Sequence, residues 1–171
     1  MNQLVYDNLY KTRNDLLKEI ILISDAQFNS RSDIEKWSIG QICHHLVLVE
    51  EVSIKAITWG LKGIDSCKNE RKNINIILLD RTKKLKAPKI VEPEVIAFGV
   101  QQMIGKLNDS RKSLMTFLST IENKSILAEK SMKHPALGEL PLDQWVEQIY
   151  LHEQRHLEQI KEIKLLLDAG H

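Results

Sequence analysis

Two histidines four residues apart, His152 and His156, lie in the run His152-Glu153-Gln154-Arg155-His156. On a helix this spacing stacks the two imidazoles on one face about 5–6 Å apart, close enough to share a metal ion. The face is unusual for histidine. Trp145, Ile149, His152, His156, Ile160, Ile163 and Leu167 recur at steps of three and four, an apolar stripe directed at a core. A third candidate comes from the adjacent pair His44 and His45, which sit about 100° apart around a helix axis and so cannot both point inward. His45 falls on Ser38, Ile42, Val49, Val52 and Ala56, an almost wholly apolar line, whereas His44 falls with Trp37, Gln41, Leu48, Glu51 and Lys55, which is largely polar. The stripes turn His45 inward and His44 away.

Three inward imidazoles would make a facial nitrogen set with open positions for water or substrate, the arrangement of a catalytic metal site. The competing reading is a set of hydrogen-bonded core histidines, the commoner fate of histidine on an apolar face. The literal H-E-x-x-H is also a zinc-peptidase signature in which Glu153 would be the general base. Its surroundings argue against a peptidase. Gln159 and Glu162 stand where a metzincin places glycine and histidine, and no sheet edge for an extended peptide is evident. Glu153 could act as a base, orient an imidazole, or lie in solvent or a salt bridge.

The elements that must position these residues are helices. The chain has 171 residues, the size of one domain. Its few glycines and its four prolines, all between Pro88 and Pro141, leave long stretches free of breakers. Apolar periodicity predicts helices over about 3–26, 38–60, 94–122 and 141–168. Ser38 with Gln41 reads as a capping box on the second, while Pro93 and Pro141 sit near the starts of the third and fourth. Four amphipathic helices bury their stripes most simply as an all-α four-helix bundle. A long loop or one short helix or strand, Ile74 to Leu79, separates the second from the third.

Composition narrows the function classes. Hydrophobic residues at 43% and charged residues at 27% fit a water-soluble globular chain. Apolar runs are far shorter than the roughly 18 residues of a membrane span, and the first residues lack a signal peptide's apolar core, so the expected location is cytoplasmic and no membrane partner is expected. A formal charge of +1 gives no global attraction to nucleic acid. The basic run of Arg81, Lys83, Lys84, Lys86 and Lys89 lacks interleaved aromatics and reads as a solvated loop. Cys43 and Cys67 form no Cys-x-x-Cys pair, and Cys43 falls among core residues.

Trp37 to Leu46, WSIGQICHHL, resembles the W-S-x-x-[EQ]-x-x-x-H-L segment of the DinB/YfiT-like proteins, bacterial four-helix metal-binding domains. His134 to Leu140, then Trp145 and His152 to Ile160, resemble the second half of that family's pattern. The resemblance implies a divalent metal, often nickel or zinc, on His45, His152 and His156, and commonly a homodimer. Some members of the family are transferases or isomerases using a low-molecular-weight thiol, which implies a small-molecule substrate and a detoxification role. Two function classes follow: a metal-dependent enzyme activating water or a thiol, as a transferase or hydrolase, and a non-catalytic bundle holding a metal or ligand. His134, before Pro135, is either a turn residue or a substrate contact or proton shuttle at the open end of the site. Trp37 and Trp145 are expected to close the bundle near its end.

Overall fold

The computed structural model describes residues 2–31, 36–63, 69–83 and 86–169. In chain order the elements are α1 (Gln3–Ile20), α2 (Asp25–Asn29), α3 (Ile39–Lys62), α4 (Ile74–Leu79), a 3₁₀ turn (Lys89–Val91), α5 (Val100–Ser119), α6 (Ile126–Glu129), β1 (Ser131–His134), β2 (Gly138–Pro141) and α7 (Leu142–Ala169). The four long helices form the bundle, with α7 packed on α1 and α3, and α3 packed on α5. Among the described residues no helix is long and apolar enough to cross a membrane.

The capping box at Ser38 is present: Gln41 N donates to Ser38 Oγ, and Gln41 Oε1 accepts from Ser38 N. The first helix is shorter than its periodicity suggests. It ends at Ile20, and a second capping box, Ser24 with Gln27, starts α2 and turns Phe28 into the core. The third bundle helix begins at Val100 rather than near Glu94, because the preceding backbone is held in tertiary hydrogen bonds. Glu94 N donates to His44 Nδ1, Phe98 N to Asn29 Oδ1, and Val100 N to Asp25 Oδ1. Val95, inside the span 94–122 predicted as helical, precedes α5 and is 78% exposed.

The loop before the last helix contains a small antiparallel hairpin that periodicity missed, pairing Ser131 with Pro141 and His134 with Gly138. Gly138 has φ of +70°, a left-handed conformation that glycine adopts without the Cβ penalty. Pro141 therefore closes β2, and α7 starts one residue later. The uncertain segment Ile74 to Leu79 is helical and packs on α7. The last helix thus has neighbours on several sides, so buried residues surround much of it: Trp145 and Ile149 on one face, Val146, Glu153 and Leu157 on another.

Candidate metal centre

His45 from α3 and His152 and His156 from α7 converge between those two helices. The Nε2 atoms of His45 and His152 are 3.4 Å apart, and those of His152 and His156 are 3.2 Å apart. The ligand-capable atoms of all three lie within 4.8 Å of one another. For comparison, two nitrogens bound tetrahedrally at 2.0–2.1 Å to one ion stand about 3.3 Å apart. Two of the three pairs thus have the spacing of nitrogens on one ion, and all three rings have the neutral donor chemistry for a divalent cation.

Neighbouring groups fix the tautomers that such binding requires. His45 Nδ1 donates to the Val91 carbonyl at 2.6 Å, and His156 Nδ1 donates to Gln159 Oε1 at 2.8 Å. In each neutral ring Nε2 is then left with its lone pair facing the cluster, the outer-sphere arrangement typical of metal-ligating histidine. The third ring is less settled, since His152 Nδ1 is buried with no partner among the described residues. Burial depresses the pKa of all three rings. That of His156 falls to about 3, from burial and then from the nearby His45 ring, and that of His152 falls well below the ordinary value for the same kinds of reason. His45 is lowered by burial, against the opposing effect of its bond to Val91. All three are neutral, ligand-ready bases at pH 7.

His44 does not join them. Its ring lies against Phe98, with centroids 4.9 Å apart, under the extended segment that precedes α5. The polar stripe that seemed to face solvent is covered there, and Gln41 Nε2 also donates to the Glu94 carbonyl. Trp37 packs beside His45 at 4.9 Å between ring centroids, and Trp145 is buried with its indole N–H donating to the Met132 carbonyl. Cys43 is fully buried and burial pushes its thiol pKa far upward, which suits core packing rather than nucleophilic work. Cys67 and Lys84 lie outside the described residues. In the basic run, Arg81 pairs with Glu162 through two hydrogen bonds of 2.5 Å.

The structure corrects the candidate role of Glu153 as general base. Although adjacent to His152, its carboxylate turns into the bundle between α1 and α5 and is 1% exposed. Its Oε1 accepts from Arg13 Nε at 2.6 Å; its Oε2 accepts from Thr12 Oγ1 at 2.6 Å and Arg111 Nη2 at 2.9 Å. Burial acts to raise this carboxyl's pKa, but Arg13, Arg111 and the Thr12 hydroxyl outweigh it and hold the group below its ordinary range. A carboxylate so engaged is a poor proton acceptor. Glu50 of α3 completes the cluster, accepting from Arg13 Nη2 at 2.9 Å and from Arg111 Nε and Ser110 Oγ at 2.5 Å each. Each arginine also donates to a main-chain carbonyl of the facing helix, Arg13 to Leu107 and Arg111 to Leu9. Sequence reasoning missed this network because its four charged members come from four different helices and carry no local motif.

A helical bundle with three histidines gathered between two of its helices defines a class of candidate metal-binding bundles. The model of the DinB superfamily matches residues 8–160, and the chain belongs to that family. It is 30% identical over 154 residues to the uncharacterized protein YuaE of Bacillus subtilis (strain 168), covering 90% of this chain and 93% of YuaE. Among solved structures, it is similar to YfiT from Bacillus subtilis, described as a probable metal-dependent hydrolase with an unusual four-helix bundle topology. The TM-score is 0.65 at 13% identity, over 98% of this chain and 90% of YfiT. The four-helix bundle protein TT2238 matches with a TM-score of 0.60 at 15% identity, over 92% of this chain and 96% of that one.

Proposed function

We propose that this DinB superfamily protein is a divalent-metal enzyme that uses His45, His152 and His156 as ligands and acts on a small-molecule substrate. The observation that carries the reading is the convergence of three neutral imidazoles, two with their tautomers fixed so that Nε2 faces the others. Three nitrogen donors suit nickel or zinc. When bound, such an ion brings water toward a pKa of about 7 or stabilises a thiolate, so a nucleophile becomes available at neutral pH.

The chain's own residues hold and orient. Val91 and Gln159 keep two rings in register, and the Trp37 ring shields one side of His45. Among the described residues no carboxylate joins the histidine cluster, which leaves open positions for water or substrate. Hydrolysis is the favoured reaction, supported by the description of YfiT. Thiol S-transfer with a low-molecular-weight thiol is the runner-up, resting on the family resemblance.

The test compares zinc- or nickel-loaded protein with a His45→Ala, His152→Ala double variant. The substrate panel contains esters, amides, and low-molecular-weight thiols with electrophilic acceptors. Turnover by the parent that the variant lacks is the expected result. Equal rates for the two proteins throughout the panel would contradict an enzyme.

A further inference from the structure

The helices that supply the three histidines, α3 and α7, also supply the two glutamates of the buried charge cluster, and in each the glutamate lies close to a histidine of the site. Glu153 directly follows His152, and Glu50 stands five residues beyond His45, about 7.5 Å along the helix axis. The two arginines come from α1 and α5, which carry no histidine. They are placed alike. Arg13 donates from Nη2 to Glu50 at 2.9 Å and from Nε to Glu153 at 2.6 Å. Arg111 donates from Nε to Glu50 at 2.5 Å and from Nη2 to Glu153 at 2.9 Å. Each planar guanidinium therefore spans one carboxylate of α3 and one of α7, and the four side chains close into a ring. The remaining nitrogen of each arginine, Nη1, donates to a main-chain carbonyl on the other arginine's helix, which anchors the ring to α1 and α5.

A buried ion-pair network adds little stability over apolar residues that fill the same volume, so stability alone does not account for this one. What the ring adds is direction. Apolar burial is non-directional and lets packed helices slide slightly, whereas two rigid forks of charge-assisted bonds do not. Gln148 Nε2 also ties α7 to α3, donating to Ser53 Oγ at 2.9 Å, but this bond lies further from the histidines along both helices and holds one point only. A metal site tolerates errors of only about 0.2 Å in its ligand distances, so the two helices must meet in one fixed relation. We propose that Arg13 and Arg111 are positioning residues of the metal centre. By bridging Glu50 to Glu153 they fix the spacing and register of α3 against α7, and so hold His45 opposite His152 and His156 before an ion arrives. The inference rests on the metal-binding reading above and adds to it what sets the geometry of the site.

The test separates positioning from stability. Arg111→Lys keeps the charge but replaces the fork with a single nitrogen, which cannot occupy all three guanidinium positions at once. Leu118→Ala is the control: it opens a cavity at a fully buried position about 10 Å further along α5 and leaves the ring intact. Zinc affinity is measured by competition with a chelator under conditions where circular dichroism shows each protein folded. In Arg111→Lys it should fall about tenfold or more, as when the ligand-ready arrangement is populated a tenth of the time or less. The visible spectrum of its cobalt(II) form should differ from the parent's. Leu118→Ala should keep the parent's cobalt spectrum and bind zinc within about twofold of the parent, as for a site too distant to couple. Glu50→Gln, which keeps the shape of the ring and removes one charge, is the second variant, and weaker zinc binding is again expected. Parent affinity and parent spectrum in both ring variants would overturn the proposal, as would an equal loss of affinity in Leu118→Ala. A parent that binds no zinc would remove the metal reading and this inference with it.

Discussion

Neighbours in sequence, His152 and Glu153 enter two buried polar clusters of opposite design. The Glu153 cluster contains two arginines and two glutamates, all at most 5% exposed, with formal charges that cancel and an acceptor for every guanidinium nitrogen. The histidine cluster contains three neutral imidazoles, two of them with the Nε2 lone pair facing the others, and among the described residues one buried nitrogen, His152 Nδ1, has no partner. The first is chemically complete, and it ties α1, α3, α5 and α7 together. Under the proposed function a cation would complete the second, taking a lone pair from each ring. One residue along α7 rotates a side chain by about 100°, enough to separate a structural network from a candidate site.

The largest expected effect is on the complete cluster. Glu153→Ala leaves Arg13 and Arg111 buried without one of their two carboxylates, and breaking a buried pair in this way costs about 3–5 kcal/mol. Urea denaturation should show that loss, or an unfolded protein. A loss below about 1 kcal/mol would mean that the network relaxes into solvent and that the contrast between the clusters is false. His152→Ala makes the converse case, since removing a neutral ring with an unpartnered nitrogen should leave the metal-free protein with most of its stability while abolishing tight zinc binding.

A smaller change sharpens the role of the outer shell. Gln159→Leu removes the acceptor that fixes His156, and zinc affinity measured by competition with a chelator should fall about 10- to 100-fold. Unchanged affinity would show that the His156 tautomer needs no support.

The smallest effect is on the pH dependence of the metal-free protein. A folded histidine whose pKa lies below the unfolded value of 6.5 binds fewer protons than the unfolded chain does, so stability is lost as pH falls below about 6.5. For His134 that loss continues down to its folded value of about 4. Between pH 7 and pH 5.5 the decline should be smaller in His134→Asn than in the parent by roughly 1 kcal/mol. Identical pH slopes would contradict the burial of a neutral ring in the hairpin.

Local chemistry was readable in the sequence where local chemistry decides the structure. The Ser38–Gln41 box marks the start of α3, and the helical stripes distinguish His45 from His44. The same S-x-x-Q signal at Ser24 and Gln27 could have ended α1 correctly, but continuing apolar periodicity through Ile23 masked it. The start of α5 was beyond local reading, because Asp25, Asn29 and His44 hold the preceding backbone from 50 or more residues away. The hairpin was hidden by strands of only four residues each. Glu153 shows the deepest limit: its fate depends on Arg13 and Arg111, whose arrival at the same point is a property of the assembled bundle.

The central claim is tested most directly by metal analysis of the full chain purified without a histidine tag, beside the His45→Ala, His152→Ala variant. The account predicts close to one zinc or nickel ion per parent chain after loading and dialysis, and almost none in the variant. Substoichiometric metal in the parent, unchanged in the variant, would contradict it.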